Sequence, residues 1–297
     1  MTIRTGAPVV VGVDGSASAL EAVRCAAREA AARHRPLRVV HAFIWPLFGT
    51  PLGPVPFAPA DAGLRHQAER TVAEAVTEAS KIAPEVTVTG EVVDGAPTPV
   101  LLDESRDAAL LLLGSRGLGG FAELVIGSVA VQVSARADCP VLVMKGEARA
   151  DGPVLVGVDG SALSNEALGF AFEEAALRQT GLVAVHAWLV PTPLGPGDML
   201  PLVYDVDALD AEEGRVLAEA VAGWSERYPD VPVRHRVAHG AAARVLVQES
   251  AAAQLTVVGA HGRGALAGAL LGSVSHAVLH HSHSPLAIVR HRKGQES

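Results

Sequence analysis

The residues best placed to do chemistry in this chain form two glycine loops of one spacing. Gly114-Ser115-Arg116-Gly117-Leu118-Gly119-Gly120 leads to Gly127-Ser128-Val129, and Gly259-Ala260-His261-Gly262-Arg263-Gly264 leads to Gly272-Ser273-Val274. Both read glycine, two residues, glycine, nine residues, Gly-Ser. Glycine lets the backbone turn without a Cβ and present N–H groups to a ligand. A helix opening at Gly-Ser adds unpaired amides and the positive end of its dipole, a combination that suits phosphate, and Ser128 and Ser273 add hydroxyl donors. Plain tight turns use the same residues, so the motif alone leaves both readings open. Asp14 and Asp159, each followed by Gly-Ser, are equally two-sided. Either could place a carboxylate near the nucleoside part of a ligand or serve as the turn residue that enters a helix.

These loops belong to a duplication. Val11-Gly12-Val13-Asp14-Gly15-Ser16 returns letter for letter as Val156-Gly157-Val158-Asp159-Gly160-Ser161, and one offset then holds through His41/His186, Gly114/Gly259 and Gly127/Gly272. The period is far longer than the roughly 20–50 residues of solenoid repeats. A whole domain is present twice, with the boundary expected at 1–147 and 148–297 across the polar link Lys145–Pro153. Halves of that length reach the common domain size of about 100–150 residues.

The loops are positioned by alternating elements. In the first half, β-branched and apolar runs predict strands at Val9–Val13, Leu37–Phe43, Val86–Val93, Ala109–Gly114 and Val141–Met144. Ala-rich amphipathic stretches predict helices at Ser18–Arg33, Asp61–Ile82, Thr98–Asp107 and Gly127–Ala137, with Ser18-Ala19-Leu20-Glu21 read as a capping box. The second half predicts strands at Val154–Val158, Leu182–Trp188, Val231–Val237, Gln254–Gly259 and Leu286–Val289. Consecutive apolar positions in short strands between helices imply an open five-stranded parallel sheet covered on both faces, a Rossmann-like α/β fold in each half. In such sheets ligands lie outside the carboxyl ends of the strands, where the strand order reverses, and both glycine loops fall there. Two Pro/Gly-rich segments, Trp45–Ala60 and Pro191–Leu202, read either as lids or partner contacts or as plain surface insertions.

Bulk properties narrow the classes. With 49% hydrophobic and 19% charged residues the chain is not disordered. No apolar run approaches the roughly 20 residues that span a bilayer, and Met1–Gly6 shows no apolar signal core. Two cysteines, Cys25 and Cys139, sit at non-equivalent places in the repeats, so a reduced, cytoplasmic protein is expected. A net charge of −8 argues against nucleic-acid binding, which needs a basic face.

Other signals are set aside. His276 and His280 have i, i+4 spacing that can hold zinc, but their first-half counterparts are Val131 and Ala135, and histidines near a helix C-terminus also favour the dipole. His41 and His186 read as hydrogen-bonded core histidines and Cys25 as a small buried hydrophobe. Ser16 and Ser161 lack the Gly-x-Ser-x-Gly context of a hydrolase nucleophile. There is no Gly-x4-Gly-Lys-Ser/Thr loop and no carboxylate pair at the glycine loops, so no catalytic residue is assigned and any ATP turnover is expected to be slow.

The Val-Gly-Val-Asp-Gly-Ser starts, the His-Ala pairs, the Gly-x2-Gly-x9-Gly-Ser loops and the closing Cys139-Pro140-Val141 together resemble the universal stress protein family, in its tandem two-domain form and over nearly the whole chain. The resemblance implies two adenine nucleotide alpha hydrolase-like domains, each binding ATP, with Mg²⁺ as a candidate companion. It places phosphates at Gly114, Gly117, Gly127, Ser128 and Val129, the nucleoside beside Gly12 and Asp14, and the base near Val40–Ala42. The second site would use Gly157, Asp159, Val185, Gly259, Gly262, Gly272, Ser273 and Val274. It implies a nucleotide-dependent regulator of stress response or growth arrest with an unidentified protein partner. Last strands paired between the halves as an internal pseudo-dimer, and a homodimer of chains, are also expected. The other classes are a slow ATPase or nucleotidyl-transfer enzyme on this fold, and a nucleotide-free interaction module. Because Ser115-Arg116 becomes Ala260-His261, unequal affinities are expected: Arg116 is always charged, and His261 pairs fully with phosphate only when protonated.

Overall fold

The computed structural model describes residues 6–44, 60–117, 126–146, 149, 151–189, 205–262 and 271–290, with residues 60–62 by backbone alone. The Pro/Gly-rich segments at Trp45–Ala60 and Pro191–Leu202 lie outside the described residues apart from Ala60. The chain divides into two compact units, the first ending at Met144 and the second running Lys145–His291.

In the first unit the elements are β1 (Val9–Gly12), α1 (Ala17–Ala32), β2 (Leu37–Phe43), α2 (Ala60–Ile82), β3 (Val88–Asp94), α3 (Pro97–Ser105), β4 (Leu110–Gly114), α4 (Ser128–Arg136) and β5 (Val141–Met144). The second unit repeats them as β6 (Val154–Gly157), α5 (Ala162–Leu177), β7 (Leu182–Trp188), α6 (Val206–Arg227), β8 (Val233–His239), α7 (Ala242–Glu249), β9 (Leu255–Gly259), α8 (Ser273–His281) and β10 (Leu286–Val289), with a 3-10 turn at Ser250–Ala252. Strand order is β3-β2-β1-β4-β5 in the first unit and β8-β7-β6-β9-β10 in the second. All these pairings are parallel: Val9 lies opposite Leu37 on one side of β1 and opposite Leu110 on the other, and Val154 sits likewise between Leu182 and Leu255. Right-handed crossovers run outward in one direction from β1 to β3 and in the other from β3 to β5. They therefore place α1 and α2 on one face and α3 and α4 on the other, and the helices pack in those pairs.

The central strands are apolar on consecutive residues because both faces are covered; Leu110, Leu111 and Leu112 are all fully buried. The outer strand β3 shows the opposite pattern, with Thr89, Gly90 and Glu91 exposed. The α1 stripe that meets the sheet is Ala19, Ala22, Val23, Ala26, Ala27 and Ala30, all buried. Five of these six are alanine, so the helix axis comes close to the strands.

The start of α1 departs from the capping box read at Ser18–Glu21. The N-cap is Ser16, whose side chain accepts from the Ala19 amide, and Ser161 caps α5 by accepting from Ser164. Asp14 explains the difference. Its Oδ1 accepts from the Ser16 amide at 2.9 Å, an Asx-type turn that brings the chain into the helix two residues early. Glu21, freed from capping, pairs with Arg24 one turn on. Predicted strand and helix limits otherwise stand within about two residues, the usual scatter of element ends. Cys25 is half-buried rather than buried; Cys139 is fully enclosed.

Gly114 at the end of β4 shows how tight this packing is. A Cβ there would lie 2.7 Å from the Ser18 carbonyl carbon and 2.8 Å from the Ala19 amide nitrogen, and backbone cannot swing aside. At Gly259 the obstacles stand further off, Leu163 Cγ at 3.2 Å and the His261 carbonyl oxygen at 3.3 Å, where shifts of a few tenths of an ångström suffice. Gly114→Ala is expected to cost about 1–3 kcal/mol by overpacking and Gly259→Ala clearly less, as read from denaturant unfolding of the full chain. Equal losses would show that the approach of α1 to β4 is not the constraint.

Candidate functional site

Each sheet opens at the point where its order reverses. β1 ends at Gly12 and β4 at Gly114, and α1 and α3 leave their neighbourhood on opposite faces. The gap is a cavity of about 450 Å³ in the first unit, with a counterpart of about 310 Å³ between β6 and β9. Both volumes lie within the roughly 300–1,000 Å³ of small-molecule sites.

The first cavity is built from three kinds of wall. Ala19, Val40, Leu101 and Leu113 form an apolar side. Asp14 supplies a carboxylate, with Oδ1 held by the Ser16 amide. Its Oδ2 lies where a Cβ on Gly117 would come within 2.5 Å, so the second glycine of the loop is there to let the carboxylate pass. The third wall is the first turn of α4. Gly127 is its N-cap and has no side chain to offer, leaving the amides of Ser128, Val129 and Ala130 as donors along the cavity. The loop closes on its own strand: the Gly127 amide donates to the Ser115 carbonyl at 2.8 Å, and Ser115 in turn donates to Met144.

The remaining tie is made by Ser18. Its hydroxyl donates to the Arg116 carbonyl at 2.5 Å and accepts from the Arg116 amide at 3.3 Å, while the Ser16 hydroxyl reaches the same carbonyl at 3.2 Å. The Arg116 side chain is left exposed at the cavity mouth.

The second unit keeps the frame and changes the ties. Gly272 donates to Ala260 and again leaves its helix uncapped. Gly262 is pressed against Asp159 as Gly117 is against Asp14. Leu163 replaces Ser18, and the hydroxyls that hold this site are Ser164, which accepts from the Asp159 amide, and Ser275, which donates to the Gly259 carbonyl at 2.5 Å. His186 on β7 is buried, with Nδ1 2.7 Å from the Val158 carbonyl and Nε2 2.9 Å from Glu213. Its counterpart His41 is half-buried and reaches the Val13 carbonyl at 2.9 Å. Both thus fasten the strand that ends at the cavity.

Nearly every residue that the sequence pointed to lines a cavity: Gly12, Asp14, Val40, Gly114 to Gly117, Gly127, Ser128 and Val129 in the first, and Gly157, Asp159, Val185, Gly259, His261, Gly262, Gly272, Ser273 and Val274 in the second. Ala260 is the exception. It is fully buried beneath the loop, and its carbonyl is taken by Gly272. Leu118, Gly119, Gly120, Arg263 and Gly264 lie outside the described residues. Sequence reasoning missed Pro97 and Leu101 on α3, with Ala242 and Leu246 on α7. Their i, i+4 spacing on the helix that returns to β4 or β9 was the available signal. Among the described residues no group of three or more His, Cys, Asp or Glu is gathered as for a metal. His276 and His280 lie with ring centres 4.6 Å apart and planes tilted by 36°, and burial followed by His276 keeps the His280 pKa below the usual imidazole range.

Comparison with known proteins shows the family. The sequence model of the universal stress protein family matches residues 7–145 and again 152–290. The chain belongs to that family. Universal stress protein Rv2005c of Mycobacterium tuberculosis is 42% identical over 300 residues, which cover 95% of this chain and 96% of that protein. The crystal structure of a universal stress protein from Archaeoglobus fulgidus covers 97% of each chain at 18% identity with a TM-score of 0.69, a likeness of fold. A universal stress protein solved in complex with cAMP is 30% identical and covers 46% of this chain and 94% of its own, with a TM-score of 0.35. Among the described residues no helix is long and apolar enough to cross a membrane.

Ser18 has no counterpart at Leu163, and this gives a test of how the first loop is held. Ser18→Ala is expected to speed amide hydrogen exchange at Arg116 and Gly117 at least several-fold and to leave His261 and Gly262 unchanged. Unaltered exchange at Arg116 would mean that the Gly127–Ser115 bond alone holds the loop.

Proposed function

We propose that this universal stress protein binds one adenine nucleotide, ATP, in each half, and that occupancy sets its interaction with a regulatory partner in the cytoplasm. The observation that carries this reading is the pairing, in both units, of an uncapped helix start with a cavity at the reversal of strand order. Phosphates fit the amides at Ser128 and Val129, and at Ser273 and Val274. The ribose fits beside Asp14 and Asp159. For the base, the Val40 carbonyl is already bonded to the Val13 amide. Strand alternation turns the Ala42 amide unit to the same side two residues on, where β1 has ended. Ala42, and Ala187 in the second half, can therefore offer a donor and an acceptor to an adenine edge, with Leu101 or Leu246 against its face.

The described walls of each cavity include a single carboxylate, Asp14 or Asp159. One carboxylate can help to hold Mg²⁺ on the phosphates but does not form the two-metal clamp of phosphoryl-transfer enzymes. The proposal is accordingly a binder whose turnover lies far below the roughly 10 s⁻¹ typical of enzymes. The domain boundary is placed at 147/148, between β5 and β6, and the two sites are taken to differ in affinity because Arg116 faces one and His261 the other.

Protein freshly purified and heat-denatured is expected to release about two adenine nucleotides per chain in mass spectrometry. Gly117→Ala and Gly262→Ala should each abolish one, because the new Cβ displaces Asp14 or Asp159 without touching backbone. Full-length protein that carries no nucleotide and shows no ATP binding in titration would leave the loops as turns of an interaction module. Phosphate release at several per second that disappears in the double variant would make it an enzyme.

A further inference from the structure

The two sites differ in charge at the residue just before the second loop glycine. In the first it is Arg116, with a fixed charge. In the second it is His261, and the surroundings of that ring are informative. Its Nε2 lies 3.4 Å from Nη1 of Arg290, just past the end of β10. A guanidinium only donates, so Nε2 is the accepting nitrogen and the ring's hydrogen is on Nδ1. That Nδ1 is buried and, among the described residues, has no hydrogen-bond partner. A buried donor left unspent is costly, and here it belongs to a ring that lines the cavity. A Cβ on Gly272, at the start of α8, would lie 3.3 Å from the His261 Cα, so the His261 backbone stands beside the positive end of that helix.

We propose that His261 reads the phosphate of the second site and that one proton is taken up with the nucleotide. The inference rests on the reading of these cavities as nucleotide sites. In the free protein, burial and then the Arg290 guanidinium hold the ring below the usual imidazole range, so it is neutral near pH 7. A phosphate arriving at Gly262 and α8 brings negative charge that attracts the guanidinium and opposes both effects. Nε2, released from Arg290, accepts a proton from solvent, and the imidazolium then donates to phosphate oxygen. Among the described residues that line the cavity, Asp159, whose Oδ2 lies against Gly262, is the other charged side chain, and it favours the same protonated form. α8 contributes Ser273, Val274 and Ser275 to the cavity wall, none of them charged. The sign follows: the bound state holds more protons than the free state, so affinity rises as pH falls between the bound-state and free-state pKa values, by at most about tenfold per pH unit. The first site, with Arg116, lacks this response.

Calorimetric titration of the full chain with ATP between pH 6 and 8, in buffers of different ionisation enthalpy, tests the proposal. Titration of the phosphate itself is common to both sites and cancels in their comparison. One site is expected to gain affinity as pH falls and to take up as much as one proton beyond the other. His261→Gln should weaken that site at low pH and flatten its profile, and His261→Arg should restore affinity at pH 8 with no added uptake. Identical pH slopes at two occupied sites, unchanged in His261→Gln, would overturn the inference and leave nucleotide binding intact. Absence of ATP binding at both sites would overturn the proposed function and this inference with it. The His261 ring protons followed by NMR in the unmutated chain give an independent reading: ATP should raise their titration midpoint, and a midpoint that stays put while the Gly262 and Ser273 amides shift would also overturn it.

Discussion

Gly114 and the first turn of α1 are in contact through backbone, with no space between them for a Cβ, and the candidate site depends on that approach. The alanine stripe of α1 lets the helix settle onto β1 and β4. Its N-terminus then arrives level with the strand ends, and Ser16 and Ser18 fall within reach of the Arg116 backbone. Asp14, turned by its bond to Ser16, points across the gap towards Gly117. A bulkier stripe would lift the helix and part these groups together. Two glycines read first as ligand contacts, Gly12 beside the nucleoside and Gly114 at a phosphate, have packing duties as well: Gly12 gives way to Leu101 and Leu113, and Gly114 to α1.

The reversal of strand order supplies the space. Parallel strands need crossovers of one hand, and a chain that builds outward from β1 in one direction must return to build in the other. Helices then leave adjacent strand ends on opposite faces, and nothing in the connection fills the crevice between them. The uncapped helix follows from the same economy. The Gly127 amide donates to the Ser115 carbonyl, which brings α4 in with its amides along the wall. A universal stress protein carries this arrangement twice here, with a common frame and different polar fastenings. Hydroxyls of α1 hold the first loop from outside, and Ser164 and Ser275 hold the second unit from within the cavity wall.

Much of this was legible in the linear chain. A letter-for-letter repeat, short strands of consecutive apolar residues and alternating amphipathic helices leave few alternatives to two parallel α/β sheets, and loops placed after the fourth strand of each must lie at its carboxyl edge. The spacing also named most of the cavity lining, because glycines such as Gly114 and Gly117 yield to a neighbour that comes too close for a Cβ. Less legible were residues such as Pro97 and Leu101, which reach the cavity from a helix far along the chain from Asp14. The capping box at Ser18 misled for a related reason: local pattern cannot register that a distant carbonyl, that of Arg116, competes for the hydroxyl.

The sequence by itself determined that there are two domains, that each is a parallel sheet between helices, and that each carries a phosphate-suited loop, since periodicity and backbone permissiveness are properties of neighbouring residues. Tertiary structure decided what each loop residue faces. Ala260 became a buried support, Asp14 became the turn residue ahead of α1 and a wall of the cavity, and His261 acquired a guanidinium neighbour and a nitrogen with no partner among the described residues. Those outcomes depend on which side chains from distant strands and helices arrive at one point, and on how far burial there removes water as the alternative partner.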